Sequence, residues 1–285
     1  MDNKKLTMIV WDVKRGNAIS LHLPNGRTVM VDCGASDDCS PVSELYSRYG
    51  VKTIHELIVT HPHADHMADL ATIRNLKMGP TVLYRPKGIS EDAIKSGNTD
   101  TTVVDSYLAM DRQYNRKLDA SEDIENPANT GGVRFKVFKP ISCSENDLNN
   151  RSLVVIVSYG SEKILLPGDC TPAAMKELLK VQEFKDELAG TTIMVAPHHG
   201  HESCYCSELM EELETNSVLK ICIISDGKDT DEVSASDKYG AKCKGLVFRY
   251  DSGTSELRRC LTTRKDGRIF VNVGLESPLE IKTQK

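Results

Sequence analysis

Short apolar runs separated by turn residues dominate the first third of the chain. The runs are rich in β-branched and aliphatic residues, and Pro24-Asn25-Gly26 between two of them is a hairpin signal. The pattern predicts an antiparallel sheet at the start of the chain. The predicted strands are 6–11, 18–23, 28–31 and 57–60, and the predicted helices are 41–49 and 67–76.

The second half repeats this alternation of strands and helices. Strands are predicted at 133–138, 153–159, 163–166, 193–196 and 220–225, and near Val247, Leu261 and Phe270, with the last two joined across Asp266-Gly267. Helices are predicted at 172–188 and 208–214.

Between the two halves, residues 100–118 carry apolar side chains at helical spacing, and an acidic segment rich in turn residues follows. We expect a helix and loop insertion at 97–132 that forms either a lid or surface padding. No linker divides the chain, so one domain over residues 1–285 is predicted, of the α/β class, with a two-layered β core and helices outside.

Composition narrows the class of protein. The 285 residues are 39% hydrophobic and 27% charged, with a net charge of −5, which argues against a protein held on DNA by its overall charge. The opening apolar stretch is too short for a signal peptide and no 18-residue apolar run occurs, so we expect a cytoplasmic protein with no membrane partner. Nine cysteines, odd in number, argue against a disulfide framework.

Six of the eight histidines fall in two short segments that each follow a predicted strand. In THPHADH, His61 and His63 can face one point from a loop, while Asp65 and His66 begin the next helix and face a neighbouring point. The second segment, APHHGH, holds His198, His199 and His201. Imidazoles mixed with a carboxylate favour zinc, manganese or iron over a thiolate-bound structural zinc. Two adjacent divalent ions would satisfy the spacing.

Such a pair of ions needs an anionic ligand between them. Asp169, in LLPGDC where a predicted strand ends on a glycine, is the candidate, because the glycine lets the backbone approach closely. His198 or His199 would complete the shell of the second ion. The predicted metal ligands are His61, His63, Asp65, His66, Asp169, His198 and His199.

At this point the chain resembles the metallo-β-lactamase superfamily, whose signature H-x-H-x-D-H is present as His61, His63, Asp65 and His66. Within it the chain is most similar to the ComEC-type hydrolase domain of competence proteins. That likeness rests on the opening hairpin that ends in Asp32-Cys33-Gly34, on the hairpin that ends in Gly168-Asp169, and on APHHG. The resemblance implies a four-layer αββα sandwich with a dinuclear metal site at one edge.

The chain also departs from the wider superfamily. Many members supply a third histidine to the first metal, but no histidine occurs between Met67 and Pro197. Asn150 and Ser152 occupy that region, as in the ComEC-type group, and we expect them to bind substrate. The first ion would then be held by His61, His63 and Asp169, with an open position for a substrate oxygen.

The reaction expected from this site is hydrolysis by a hydroxide that bridges two zinc or manganese ions and attacks phosphorus. Asp65, His199 and His201 are the predicted catalytic residues; His199 or His201 would protonate the leaving alkoxide, although His201 equally fits a solvated neighbour of the site. A phosphodiesterase or nuclease is predicted. The alternatives are an acyl hydrolase acting on esters, thioesters or lactams, and a metal-binding regulatory module without turnover.

The substrate class rests on local charge. Residues 236–268 contain nine bases and four acids, and Arg112, Arg116 and Lys117 form a second basic edge. Such surfaces suit a phosphodiester in DNA, RNA or a cyclic nucleotide, and equally suit a solvated basic face without function.

Overall fold

A computed structural model of the chain describes residues 4–141, 147–226, 234–249 and 254–284. The described strands are β1 Lys5–Val10, β2 Ala18–His22, β3 Thr28–Cys33, β4 Glu56–Ile58, β5 Val82–Tyr84, β6 Arg134–Phe138, β7 Val154–Tyr159, β8 Glu162–Leu166, β9 Ile193–Val195, β10 Ile221–Ile224, β11 Leu246–Arg249, β12 Ser255–Arg258, β13 Cys260–Thr262, β14 Arg268–Gly274 and β15 Glu280–Gln284.

The described α-helices are α1 Pro41–Ser47, α2 Leu70–Asn75, α3 Glu91–Ser96, α4 Thr101–Gln113, α5 Pro172–Leu178, α6 Gln182–Leu188, α7 Ser207–Asn216, α8 Ser236–Ala241 and α9 Thr263–Asp266. Several begin with a residue that commonly caps helices: Ser40 caps α1 and Thr171 caps α5, each followed by a proline in the first turn. None of these described helices has the length and apolar character that crossing a bilayer requires.

Two sheets form the centre of the molecule. The first has seven strands in the order β15-β14-β1-β2-β3-β4-β5, and the second has six in the order β13-β10-β9-β8-β7-β6. Strands β1 to β3 pair antiparallel as predicted, whereas β3, β4 and β5 run parallel, as do β8, β9, β10 and β13. The short strands β11 and β12 pair as a separate hairpin.

Successive side chains of each strand point to opposite faces of the sheet, and both faces are buried. On β1, Met8 and Val10 pack against Val155 and Val157 of the opposite sheet, while Ile9 turns outward to the helices α1, α2 and α4. The outer face of the second sheet is covered by α5 to α8. Because each sheet buries both faces, its strands are almost continuously apolar. The predicted four-layer αββα sandwich is confirmed.

Two local expectations were wrong. The helix predicted at 172–188 is two helices, because Val181 is extended (φ −90°, ψ 116°) between α5 and α6. The hairpin predicted across Asp266-Gly267 does not form: β13 belongs to the six-stranded sheet and β14 to the seven-stranded sheet. Helix α9 and Gly267, at φ 70°, carry the chain from one sheet to the other.

The segment 97–132 contains α4 and two 3-10 turns. Val104, Tyr107 and Leu108 of α4 are buried against the helix layer of the first sheet. The carbonyl of Asn129 accepts hydrogen bonds from Asn25 and Arg27 at the β2–β3 turn. The segment is therefore tied to the body of the fold at both ends.

Most of the described cysteines are small buried side chains. No disulfide links the described residues, and Cys33, Cys170, Cys204, Cys206, Cys222 and Cys243 are buried free thiols. Cys143 lies outside the described part of the chain.

Candidate metal centre

The predicted site residues follow the carboxyl ends of strands from both sheets. His61 to His66 come after β4, Asp169 follows β8, and His198 and His199 follow β9. A backbone hydrogen bond from Leu153 to the carbonyl of Thr60 joins the two sheets at this edge, with an N–O distance of 2.8 Å. The sandwich therefore brings three segments that are distant in sequence to one place.

Gly168 allows the Asp169 loop to reach the histidine loop. Its φ is +57°, and a Cβ at this position would lie 2.8 Å from the Cβ of Thr60. A side chain would push the two loops apart, so the close approach expected from the sequence depends on this glycine.

Asp169 lies at the centre of the cluster. Its Oδ2 is 3.9 Å from His61 Nε2, 3.9 Å from His198 Nε2 and 3.5 Å from His199 Nε2, and its Oδ1 is 3.2 Å from His66 Nε2. His63 Nδ1 is 2.9 Å from His61 Nε2, and Asp65 Oδ2 is 3.5 Å from His199 Nε2. The seven residues predicted as ligands are therefore gathered around one carboxylate.

These distances suit metal ligands. Two atoms that each bind a tetrahedral zinc at 2.0–2.2 Å lie roughly 3.4 Å apart. The separations around Asp169 lie near this value, and two triads, His61-His66-Asp169 and Asp65-His66-His199, could each hold an ion.

Two ring nitrogens in the cluster are buried and unsatisfied. Among the described residues, Nε2 of His66 and Nε2 of His199 make no hydrogen bond, although carboxylate oxygens lie 3.2 Å and 3.5 Å away. Buried polar atoms are normally paired, since an unmade hydrogen bond costs about 1–3 kcal/mol. Ring nitrogens that converge with carboxylate oxygens but make no hydrogen bond to them are compatible with a divalent cation at this place.

The opposite nitrogens of these rings are held by neighbours. Nδ1 of His66 is 2.7 Å from Asp32 Oδ2, Nδ1 of His199 is 3.2 Å from the carbonyl oxygen of Ser225, and Nδ1 of His198 is 3.1 Å from Cys204 Sγ. A neighbour on Nδ1 fixes the ring orientation and leaves Nε2 for a ligand bond. Each imidazole is thus oriented before any ion binds.

Asp32 is the main residue that sequence reasoning left without a role. Its buried carboxylate also accepts hydrogen bonds from the backbone N–H and hydroxyl of Thr60 and from the amide of Asn17. The available signal was an aspartate at the end of a strand, followed two residues later by a glycine. Asp32 has φ +58°, which is unusual for a residue other than glycine.

Two glycines allow the opening loops to enclose the backbone of Asp65. A Cβ on Gly16 or on Gly34 would lie 2.3 Å from the carbonyl oxygen of Asp65, and the Asn17 N–H donates to that oxygen at 3.3 Å. The close fit holds the turn that contains Asp65 in place.

The later histidine motif has strained backbone geometry. His198 (φ 49°, ψ 54°) and His199 (φ 54°, ψ 24°) are both left-handed, and Gly200 follows at φ 72°. A left-handed residue other than glycine costs about 1–3 kcal/mol. The turn is held by hydrogen bonds from His198 N–H to the Gly168 carbonyl and from Ala235 N–H to the Gly200 carbonyl.

Electrostatics acts in opposite directions on the histidines of the cluster. At His66 and His199 burial would lower the pKa, but Asp169, with Asp32 at His66 and Asp65 at His199, outweighs burial and raises the pKa of both rings. An ion bound there would therefore displace a proton.

Burial lowers the pKa of His61, His63 and His198. Burial alone would raise the pKa of Asp65, but neighbouring His199 and His66 outweigh it and hold the pKa well below its usual range. Neutral imidazoles and ionised carboxylates are the forms that coordinate divalent ions.

The other predicted residues lie around this cluster. Ser152 is fully buried and its hydroxyl accepts the backbone N–H of Asp169, whereas Asn150 accepts the Thr171 hydroxyl. His201 is partly exposed; its Nδ1 lies 2.6 Å from the Ser203 hydroxyl, and its ring centre is 6.0 Å from that of His198.

Comparison with known proteins agrees with this geometry. Residues 11–140 match the sequence family described as the metallo-beta-lactamase superfamily. Over 235 residues the chain is 24% identical to Recombination protein 2 of Haemophilus influenzae, covering 79% of this chain but 25% of that protein. The chain thus spans about a quarter of the length of this curated relative.

Solved structures share the fold. A variant of the β-hydroxylase CmlA matches with a TM-score of 0.54 and 14% identity, covering 95% of this chain and 54% of the other. A diphosphatase of the PhnP family matches with a TM-score of 0.49 and 14% identity over 95% of this chain and 100% of the other. YhfI from Bacillus subtilis, a metallo-beta-lactamase fold protein, matches with a TM-score of 0.47 and 12% identity over 79% and 88%. The family match over residues 11–140, the fold and the cluster around Asp169 make this chain similar to the metallo-β-lactamase superfamily of metal-dependent hydrolases.

Proposed function

We propose that this protein is a phosphodiesterase, with nucleic acid as its substrate class, and that it works with two divalent metal ions held on either side of Asp169. The observation that carries the proposal is the convergence of the predicted ligands on one buried carboxylate, with unsatisfied Nε2 atoms facing it.

The ligands divide into two groups. Asp65, His66 and His199 form one triad, and His61 and His63 lie on the other side of His66, with a distance of 4.2 Å between the ring centres of His61 and His66. Asp169 lies between the two groups, because its Oδ2 is 3.9 Å from His61 Nε2 and 3.5 Å from His199 Nε2.

His198 fits the group of His61 and His63, whereas the sequence left open whether it or His199 would serve the second ion. Its Nε2 and that of His61 lie at the same distance, 3.9 Å, from the same carboxylate oxygen. We therefore assign it the place of the histidine that the chain lacks between Met67 and Pro197.

The donor set contains imidazoles and carboxylates, which suits zinc or manganese. Bound ions of this kind lower the pKa of an attacking water and stabilise charge on phosphoryl oxygens. The chain itself positions the ligands through Asp32, Cys204 and the carbonyl of Ser225. Because His199 is committed to the cluster, the partly exposed His201 is the better candidate to donate a proton to the departing alkoxide.

Two further points support a phosphodiester substrate. The relative from Haemophilus influenzae is named for recombination, a process that acts on DNA. The metal edge also adjoins a groove that carries lysines and no acidic side chain among its lining residues.

The test combines metal analysis with a substrate panel. Purified protein supplied with manganese or zinc is expected to bind two ions per chain and to cleave bis-p-nitrophenyl phosphate and oligonucleotides. Asp65→Ala and His66→Ala should each lower kcat/KM at least 10³-fold, by about 4 kcal/mol of transition-state stabilisation. His55→Ala is the matched control, because His55 is a partly buried histidine whose Nδ1 accepts the Thr28 N–H, apart from the cluster.

The outcomes separate the candidate functions. Full activity in both cluster variants would contradict the assignment of the site. Two bound ions with turnover of p-nitrophenyl acetate or a lactam, and none of phosphodiesters, would replace the proposal with an acyl hydrolase. Two bound ions without any turnover would favour a regulatory module.

A further inference from the structure

The basic surface expected at 236–268 is partly neutralised. Lys238, Lys242 and Arg264 pair with Glu202, Glu214 and Asp226, and Arg258 and Arg268 pair with Asp266 and Glu44. Residues 250–253 of this stretch lie outside the described residues. Part of the positive charge of this stretch is therefore compensated within the fold, whereas Lys244, Arg259 and Lys265 are exposed and form no ion pair with the described residues.

A second surface differs. A groove of about 400 Å³ runs along β5, and the residues that line it include Tyr84, Arg85, Lys87, Tyr114, Arg116, Lys117 and Lys139. No acidic residue occurs in this set. In a chain with a net charge of −5, such a groove concentrates positive potential.

Three of these bases are free to bind a ligand. Arg85 is engaged by Asp111 and Arg116 by Glu122. Lys87, Lys117 and Lys139 are exposed, and none forms a hydrogen bond or ion pair through its ammonium group with the described residues. Their charge is therefore available to phosphate groups.

Two tyrosine rings stand among the lysines. The Tyr84 hydroxyl accepts the backbone N–H of Ile124, and the Tyr114 hydroxyl donates to the carbonyl of Pro80. These bonds fix both rings as half-buried walls of the groove. Aromatic rings held in this way offer faces on which unpaired bases stack, a contact that a base-paired duplex does not offer.

The groove adjoins the metal centre. Strands β4 and β5 run parallel with Ile58 opposite Tyr84, so the chain leaves β4 for His61 and β5 for Lys87 at the same edge. Arg151 donates to the carbonyl of Lys87 at 3.0 Å. The turn that contains Arg151 begins beside Asp147, whose charge acts on His63.

We propose that this groove binds the single-stranded part of a nucleic acid, with Lys87, Lys117 and Lys139 contacting phosphates and Tyr84 and Tyr114 contacting bases, and guides the strand to the metal centre. The inference rests on the proposed phosphodiesterase function for its substrate, and it adds where and in which form that substrate binds.

The test measures binding and turnover separately. A variant with Lys87→Gln, Lys117→Gln and Lys139→Gln is compared with Lys52→Gln, Lys180→Gln and Lys244→Gln, which removes the same charge from exposed lysines outside the groove. Binding of a fluorescein-labelled 12-nucleotide oligothymidylate is followed by anisotropy in EDTA, which prevents cleavage. The groove variant should bind at least 10-fold more weakly at 100 mM salt, and its salt slope should fall by roughly 2.

Hydrolysis of bis-p-nitrophenyl phosphate, which is too small to fill the groove, should be unchanged in both variants. If the groove variant binds the oligonucleotide like wild type, or if the control variant loses as much affinity, the groove proposal is wrong while turnover of the small substrate still supports the phosphodiesterase. If no phosphodiester is cleaved, the proposed function fails whatever the binding result.

Two further probes define the ligand. A 12-base-pair duplex that binds as tightly as the single strand, and depends equally on the three lysines, would overturn the single-strand assignment. Inorganic polyphosphate that competes as well as the oligonucleotide would show that the groove recognises charge alone, and would overturn the role of the tyrosines.

Discussion

Histidines at the two ends of the sandwich are buried in similar ways but have different surroundings. At the metal edge, Nε2 of His66 and His199 face carboxylate oxygens without a hydrogen bond. At the opposite end, His22 has a hydroxyl beside each ring nitrogen, Ser20 Oγ and Thr28 Oγ1, both at 3.4 Å.

Burial lowers the pKa of histidines at both ends, including His61 and His22, so a lowered pKa does not distinguish a ligand from a structural residue. The atoms that face the ring nitrogens do. Hydroxyl groups satisfy the hydrogen bonds of a neutral imidazole. A cluster of carboxylate oxygens and ring nitrogens that make no hydrogen bond is instead satisfied by a bound cation.

The largest effect should come from the carboxylate behind His66. Asp32→Asn places an amide among donors from Thr60, Asn17 and His66, so we expect a loss of about 3–5 kcal/mol in unfolding free energy. Metal affinity should fall 10- to 100-fold, because the orientation of His66 is lost. Chemical denaturation and metal titration measure the two effects.

Asp69→Asn is the matched control for that variant. Asp69 is also a buried carboxylate, but it accepts hydrogen bonds from Ser40 and the Val42 N–H. It should lower stability and leave the affinity of the folded protein for metal unchanged. Equal losses of metal affinity in both variants would contradict the role assigned to Asp32.

The contribution of His22, at the opposite end, to the unfolding free energy should depend on pH and not on metal. Burial lowers the pKa of His22 from 6.5 to about 4. Because the folded pKa lies below the unfolded one, its contribution to stability is complete above pH 6.5 and is lost as the pH falls towards 4. Between pH 7.5 and 5, wild type should lose about 2 kcal/mol more unfolding free energy than His22→Gln.

Denaturant titrations of both proteins in EDTA measure this difference, since the metal-site histidines titrate equally in each. Parallel pH profiles would show that His22 is not buried in the neutral form, and the contrast between the two ends would then fail.

The smallest effect concerns the thiol beside His198. Cys204→Ala removes the neighbour of Nδ1 at 3.1 Å, and a lost hydrogen bond of about 1 kcal/mol corresponds to roughly 5-fold weaker binding of one of the two ions. Cys206→Ala removes a buried thiol that contacts Glu208 instead. Calorimetric metal titration should resolve the two variants, and equal affinities would remove Cys204 from the site.

Much of the fold was predictable from the sequence because strands buried on both faces leave continuous apolar runs, as at 154–159 and 193–195. The break at Val181 was not predictable from helical spacing, because apolar residues on both sides of it face the same layer. The separation of β13 from β14 depends on which sheet each strand joins, and a turn motif carries no information about that.

The grouping of the proposed ligands was predictable because they follow the ends of strands, and those ends meet at one edge of the sandwich. His61 to His66 could also be recognised from their spacing. The position of His198 could not, because it depends on a left-handed backbone and a thiol six residues away. The groove could not be predicted from the sequence. It forms because Lys139, which follows β6, lies near Lys117, and these residues are distant in sequence.

The bond from Leu153 to Thr60 has a consequence for the whole protein. Since each half of the sandwich supplies part of the proposed donor set, the spacing of the proposed ions would be determined by how the interior side chains hold the sheets in register. A substitution in the apolar interior, many ångströms away, would therefore change reactivity through a slight shift of one layer over the other, even in a protein that still folds.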